Sequence, residues 1–241
     1  MDDSTTPFRN ELLRSLPSAD IALLEPLVRV PLGIRQQLCE TGKPIQFCYF
    51  IERGIASVVS GRPQRTTEIG IIGPEGMTGV EIVYGDTQAT FETYMQIEGE
   101  GFQCEAPRLA QALLESRTLL SLLLRYAHAF SIQVGSTANA QGRSVLEERL
   151  ARWLLMVSDR TAATFHVTHE YIAAMLAVRR SGVTMAMQTL EEKGLIRASR
   201  ATIHILDRQA LIEAAGGSYG LAEQAYARLV GADSKPALAA M

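Results

Sequence analysis

Apolar and polar residues change their rhythm along this chain. From about residue 30 to 106, short apolar runs ("CYFIE", "IASVVS", "TEIGII" and "TYMQIEGEGFQC") are separated by turn residues, among them Gly42, Gly54, Gly61, Gly73, Gly76 and Gly85. Many short strands at close spacing predict an antiparallel sandwich or barrel. Thr93, Met95 and Ile97 alternate with Tyr94, Gln96 and Glu98, the two-residue period of an amphipathic strand. Ahead of this region, residues 8–29 predict a short helical lead-in punctuated by Pro17 and Pro26. After Pro107 the period lengthens. Leu120, Leu123, Ala127, Phe130 and Val134 follow at intervals of 3, 4, 3 and 4, the spacing of a coiled-coil seam that a second copy would cover. The competing reading packs this helix on its own β-domain.

Gly135 and Gly142 predict a break. The next helix, "SVLEERLARWLLMVSD" (Ser144–Asp159), opens on a Ser-x-x-Glu capping box formed by Ser144 and Glu147 and carries the single tryptophan, Trp153. Then comes "VTHEYIAAMLAVRRSGVTMAMQTLEEKGLI" (Val167–Ile196), which reads as two helices around a tight turn. Thr168 suits the N-cap of the first, with Ile172, Met175 and Leu176 facing inward. A turn at Ala177–Val178 leads to the second, which Gly194 ends as its C′ residue. In that second helix Val183, Ala186, Met187 and Leu190 share one face. The opposite face carries Ser181, Thr184, Met185 and Gln188, with Arg180 in its first turn and no acid before Glu191. Such a face can pass between phosphate backbones and present donors to base edges. "IRASRATIHIL" then predicts a strand, a tight turn around Ser199–Thr202 and a second strand, a wing carrying Arg197 and Arg200. The segment after Gly231 is expected to be a disordered tail.

Charge sharpens this division. The whole chain of 241 residues carries −3, yet residues 1–143 hold 12 basic and 16 acidic residues while residues 160–208 hold seven basic and four acidic ones. The excess positive charge falls on the segment with the helical hairpin. Three cysteines, Cys39, Cys48 and Cys104, lack metal-site spacing, and their odd number argues against a disulfide framework. Cys39 and Cys48 as a redox pair compete with the simpler reading of buried small hydrophobes. The acidic, polar start (Met1–Ser4) is unlike a secretory signal, and no apolar run reaches the ~18 residues of a membrane span. A reduced, cytoplasmic setting is expected, with no membrane partner. There is no P-loop, no Gly-x-Ser-x-Gly and no His-Glu-x-x-His, so the chain reads as a non-enzyme.

A β-rich N-terminal region, a long seam helix, a capped helix and the Val167–Ile196 stretch together resemble the Crp/Fnr transcription regulators. The resemblance spans residues ~10–215 and is strongest over 165–206. It implies an α+β fold: an N-terminal antiparallel β-roll of the cyclic-nucleotide-binding type over residues 1–115, a dimerisation helix over 116–143, and a C-terminal winged helix-turn-helix over 144–215. A C-terminal helix and tail follow at 216–241. It further implies that the start of the second helix of the pair reads the major groove. Arg180 matches the family's Arg there, and Thr168 matches the helix-start residue that holds a phosphate. Where the family commonly has Glu and a later base-reading Arg, this chain has Ser181 and Met185, so the family's best-known half-site does not transfer. The expected DNA-contacting set is Thr168, Arg179, Arg180, Ser181, Thr184, Gln188 and Arg200. The expected dimer seam is Leu120, Leu123, Ala127, Phe130 and Val134.

The sensor region departs from the cyclic-nucleotide members, whose cassette has a Gly-Glu pair followed by an Arg for the cyclic phosphate. Gly79-Val80-Glu81 loosely resembles the pair, but no Arg follows. Between Arg65 and Arg108 there are eight acids and no base, the wrong sign for an anion pocket. Cyclic AMP is not expected to bind. Three cysteines fall short of an iron–sulfur set, and His128 on the seam helix reads as a partly buried helix residue rather than a haem ligand. No cofactor is assigned, and the effector stays open. The reading is therefore a homodimeric, sequence-specific regulator on a palindromic operator in double-stranded DNA, with RNA polymerase as a further partner. The alternative is a small-molecule binding module whose winged helix docks a protein.

Overall fold

The computed structural model describes residues 8–62 and 65–231. Among them the chain packs as two compact units: residues 8–58, 72–130 and 225–231 in one, residues 59–62, 65–71 and 131–224 in the other. The predicted tail after Gly231 and the acidic start lie outside the described residues.

The first unit opens with two short helices, α1 (Glu11–Ser15) and α2 (Ser18–Leu24), in the predicted lead-in. Asn10 ties α1 to the sheet. Its side-chain oxygen caps the helix by accepting from Leu13 N–H at 3.1 Å. Its amide donates to the carbonyls of Ile51 at 2.9 Å and Gly76 at 2.8 Å, and its backbone N–H donates to Glu52 Oε1 at 2.8 Å. The sheet consists of β1 (Val28–Leu32), β2 (Gln37–Cys39), β3 (Phe47–Arg62), β4 (Arg65–Ile72) and β5 (Glu92–Glu105), in the order β1-β5-β3-β4 with β2 also on β5. β1 and β2 each pair antiparallel with β5, Val30 facing Gly101 and Leu32 facing Gly99.

The runs "CYFIE" and "IASVVS", read from sequence as separate, belong to one strand, β3. Gly54 between them has φ 88°, and a Cβ there would sit 2.5 Å from the Ile97 carbonyl oxygen. This glycine permits a close backbone approach without ending the strand. A 3-10 turn, Val80–Tyr84, is flanked by Gly79 and Gly85, both left-handed.

Two helices follow, α3 (Ala106–Glu115) and α4 (Arg117–Arg143). The core of this unit gathers Leu12, Phe50, Met77, Leu109, Leu119 and Leu123. Tyr126 on α4 locks onto the loop at Gly76: its hydroxyl donates to the Met77 carbonyl at 2.9 Å and accepts from Met77 N–H at 3.1 Å.

The predicted break does not occur at Gly135; α4 runs for 27 residues to Arg143, and the break falls just past Gly142, at Ser144 and Val145. Glycine costs a helix about 1 kcal/mol relative to alanine; on the inner face the buried Gln133 accepts from Ile71 N–H at 2.7 Å and the buried Thr137 donates to the Gln133 carbonyl at 3.0 Å, ties that hold α4 in place. The next helix, α5 (Leu146–Arg160), starts later than expected. Its N-cap is Val145, whose N–H donates to the Glu148 carboxylate at 3.2 Å, so Ser144 and Glu147 do not form the box.

The second unit contains α5, β6 (Thr164–His166), α6 (His169–Met175), α7 (Arg180–Glu192), β7 (Ile196–Ser199), β8 (Thr202–Ile205) and α8 (Arg208–Ala214). α9 (Leu221–Leu229) continues from it into the first unit. β6, β8 and β7 form a three-stranded antiparallel sheet in that order. Leu150, Leu154, Ile172, Val183, Leu190 and Leu211 are fully buried. The fold is thus α+β, with an antiparallel sheet leading and a winged helix-turn-helix following.

Candidate nucleic-acid interface

α6 and α7 form the helix-turn-helix. The Thr168 hydroxyl caps α6 by accepting from Tyr171 N–H at 3.2 Å. Leu176 closes α6, and Ala177 turns the chain in the left-handed region at φ 52°. α7 buries Val183, Ala186, Met187 and Leu190, as its apolar spacing predicted. That burial fixes what faces outward. Arg179, Arg180, Ser181 and Gln188 are exposed, Met185 is 67% exposed, and Thr184 is half-buried.

Beside this face stands the wing. β7 and β8 pair Ser199 with Thr202, leaving Arg200 (φ 47°) and Ala201 (φ 65°) as a two-residue loop. Both central residues in the left-handed region make the tight hairpin turn that matches the twist of paired strands. Arg200 is exposed at the tip. Ala201 contributes its carbonyl to Val167 N–H at 2.7 Å, which ties the tip to the segment just before α6. α7 and the wing line a groove of about 510 Å3, to which Thr168, Arg180, Thr184, Gln188, Ser199 and Arg200 contribute. Five of the seven expected DNA-contacting residues therefore line one groove, and the other two, Arg179 and Ser181, flank Arg180 in the chain. The acid that follows is occupied: Glu191 Oε1 accepts from Ala198 N–H at 2.6 Å and braces the wing.

One contributor was not foreseen. The Thr184 hydroxyl lies 3.1 Å from the Arg180 carbonyl and 3.2 Å from His169 Nδ1, so His169 holds the Thr184 rotamer from the neighbouring helix. Two more His–Thr pairs, His166 with Thr202 at 2.8 Å and His204 with Thr164 at 2.6 Å, bridge β6 and β8. The available signal was a Thr-His pair at the start of one helix and a Thr at the reading face of the next. Without the crossing of the two helices it identifies no contact.

Two residues of the expected dimer seam, Leu123 and Ala127, are covered within their own chain. Leu123 is 0% and Ala127 1% exposed within their own chain, and Leu123 belongs to the core of the first unit. Leu120 packs partly buried against the same core, Phe130 stacks on Tyr126 with ring centroids 6.4 Å apart, and Val134 is half-buried. The apolar stripe of a helix seeks the nearest apolar surface, and for Leu120 and Leu123 that surface is intramolecular. The exposed stripe of α4 is a different one: Leu124, His128, Ser131, Gly135, Ala138 and Gly142, again at intervals of 4, 3, 4, 3 and 4.

In the first unit, Glu81 of the 3-10 turn accepts from Thr90 N–H at 3.1 Å. Cys39, Cys48 and Cys104 are buried free thiols. Desolvation first, then the Glu81 charge, pushes Cys39 up to about 12; desolvation takes Cys104 to about 11 and Cys48 well above the thiol range. Among the described residues no cluster of three His, Cys, Asp or Glu is arranged to hold a metal, and no helix is long and apolar enough to cross a membrane.

Comparison with known proteins agrees with this architecture. Residues 148–214 match the model of the Crp-like helix-turn-helix domain. No curated protein sequence matches the chain. Among solved structures, FixK2 from Bradyrhizobium japonicum is similar at 16% identity and a TM-score of 0.68, covering 78% of this chain and 96% of that one. A transcriptional regulator of the Crp/Fnr family from Eubacterium rectale follows at 16% identity and 0.67, covering 86% and 98%. A CRP-family transcriptional regulator from Thermus thermophilus is similar at 22% and 0.64, covering 80% and 99%. The chain therefore has the Crp/Fnr fold, and its residues 148–214 are a Crp-like helix-turn-helix domain.

Proposed function

We propose that this protein is a sequence-specific transcription regulator that reads a palindromic operator as a homodimer. The observation that carries the reading is the outward face of α7. Arg179, Arg180, Ser181, Thr184 and Gln188 stand on a helix whose opposite face is fully buried, beside a wing with Arg200 at its tip. Arg180 is the group placed to reach a guanine edge, Thr184 and Gln188 supply further donors and acceptors, and Thr168 and Arg200 hold phosphates on either side. Such contacts position the helix and specify the base at once.

A single reading helix covers too few base pairs for a useful specificity ratio, and two copies related by a two-fold axis remedy this. The outward stripe of α4 suits the second copy. Gly135 and Gly142 have open space where a Cβ would stand, and Ser131 and Ala138 add little bulk, so two such helices can approach closely. Leu124, 42% exposed, is the apolar anchor. This stripe replaces the Leu120–Val134 seam read from the sequence. RNA polymerase is the partner through which a bound dimer would act.

The sensor sheet does not suit a cyclic nucleotide. The stretch from Thr66 to Pro107 offers no cation, and the turn at Gly79–Gly85 presents Glu81 instead. Selection of bound duplexes from a random pool tests the reading. A palindrome with half-sites about one helical turn, ~34 Å, apart is expected, unchanged by millimolar cyclic AMP. Recovery of unrelated sequences only would defeat it. Ala138→Glu, on the outward stripe, is expected to yield a monomer by sedimentation that keeps weak, salt-sensitive DNA binding.

A further inference from the structure

The second unit contains a small, partly open pocket of about 20 Å3 that the DNA-reading surface does not use. Glu68, Gln141, Arg149, Arg152, Trp153 and Leu176 are among its lining residues. Two guanidinium groups meet there with donors unmet. Arg152 is only 5% exposed; its Nε donates to the Ser218 carbonyl at 2.9 Å, and its Nη2 is buried with no acceptor. Arg149 donates from Nη2 to the Gln141 side chain and the Leu176 carbonyl, while its Nε is buried with no acceptor. The one lining carboxylate, Glu68, is 5% exposed and accepts from Trp153 Nε1 at 2.7 Å. The lining thus carries two positive charges and one negative. Beyond it, Glu223 and Arg160 act on Arg152 with opposite signs.

We propose that this cavity binds one small monovalent anion of halide size, held by Nη2 of Arg152 and Nε of Arg149. Size limits the occupant: a water needs roughly 10–15 Å3 on the same measure, so the space takes one such particle, and a phosphate, carboxylate metabolite or nucleotide does not fit within it. Charge then chooses between a water and an anion. A water would accept from both donors but leave an uncompensated buried positive charge, whereas a halide satisfies the donors and balances the lining. The site also bears on the reading head. Arg149 holds the carbonyl of Leu176, the residue that closes α6 before the turn into α7. An anion that fixes Arg149 therefore fixes the end of α6.

The test uses the full chain at constant ionic strength, exchanging gluconate, which is too large for the cavity, for bromide. The unfolding midpoint is expected to rise with bromide and saturate, and Arg152→Met, if folded by circular dichroism, is expected to lose that rise. A rise that grows without saturating, or one that Arg152→Met retains, overturns the proposal. Bromide-soaked crystals of the unaltered protein decide the matter if the variant does not fold. An anomalous peak at hydrogen-bonding distance from Arg152 Nη2 and Arg149 Nε is expected. A water without anomalous signal overturns the proposal. So does a peak with no saturable change in solution, which marks an adventitious ion only.

Discussion

The first unit and the α6–β7 segment of the second hold their polar groups together over very different lengths of chain. In the first, Asn10 reaches the Gly76 carbonyl across 66 residues, Tyr126 reaches Met77 across 49, and Tyr226 reaches the Glu75 carbonyl across 151. From α6 to β7, Thr168 caps Tyr171 N–H three residues on, Glu191 braces Ala198 at seven, and His169 meets Thr184 at 15, while the frame around them is tied at long range by Trp153 to Glu68 across 85 residues. The first unit is assembled from distant pieces, and the helix-turn-helix from neighbours. Long-range ties demand that loop closure precede their formation, so the first unit depends more on each of them.

The contrast can be broken first at the buried thiols. Cys39, Cys48 and Cys104 have folded-state values raised above the ordinary 9.0 by burial. Below pH 9 their contribution is fully present. As pH rises from 9 towards about 11 for Cys104 and about 12 for Cys39, the unfolded chain releases protons that the folded chain keeps, and stability falls. Denaturant titrations on either side of pH 9 are expected to show the largest loss of all these tests, and thiol reagents are expected to react only on unfolding. A flat profile would mean that the thiols are accessible.

Asn10→Leu is next. It removes the partners of the Leu13 N–H and the Ile51 carbonyl, each a buried group costing about 1–3 kcal/mol when left unpaired, while the Gly76 carbonyl keeps the Ile51 N–H at 3.3 Å. A loss of about 3 kcal/mol or more is expected from urea unfolding. A comparable loss from Thr168→Ala in the head, where a cap is worth ~1 kcal/mol, would remove the distinction between the units.

Arg180→Ala should leave unfolding unchanged while lowering specific DNA affinity by about 1–3 kcal/mol and relaxing preference at one base per half-site. Equal weakening on every duplex would make Arg180 a phosphate contact. The smallest effect belongs to the wing. Ala201, at φ 65°, occupies a conformation that costs an L-residue roughly 1–2 kcal/mol. Ala201→Gly is expected to raise the melting temperature slightly with DNA affinity unchanged.

The same difference in range explains what could be read from the sequence. Thr168, the buried stripe of α7, Gly194 and the wing follow from local periodicity and capping, and the structure places them as expected. The errors lie where the deciding partner is remote. Nothing near Gly54 says that Ile97 will press against it, and nothing near Gly135 says that Gln133 and Thr137 will be held inward. The burial of Leu123 and Ala127 within the expected seam was illegible for a related reason. Two faces of α4 share the 3-4 spacing, and hydropathy favours the one that its own chain covers. β6 escaped notice because three residues are too few for a period, and His169 because its partner sits on another helix.

The division of the chain into units has a consequence for how such a protein can be recombined. The path passes between the units four times, at residues 58/59, 71/72, 130/131 and 224/225, within β3, β4, α4 and α9. None of these passages is a loop. A gene fusion that exchanged everything after α4 for another reading head would leave residues 59–62 and 65–71, Glu68 with them, facing a foreign Trp153 position. A new helix-turn-helix surface is therefore expected to arise by point changes on α7, or by coordinated exchange of the ends of β3 and β4 with it, and not by a single crossover.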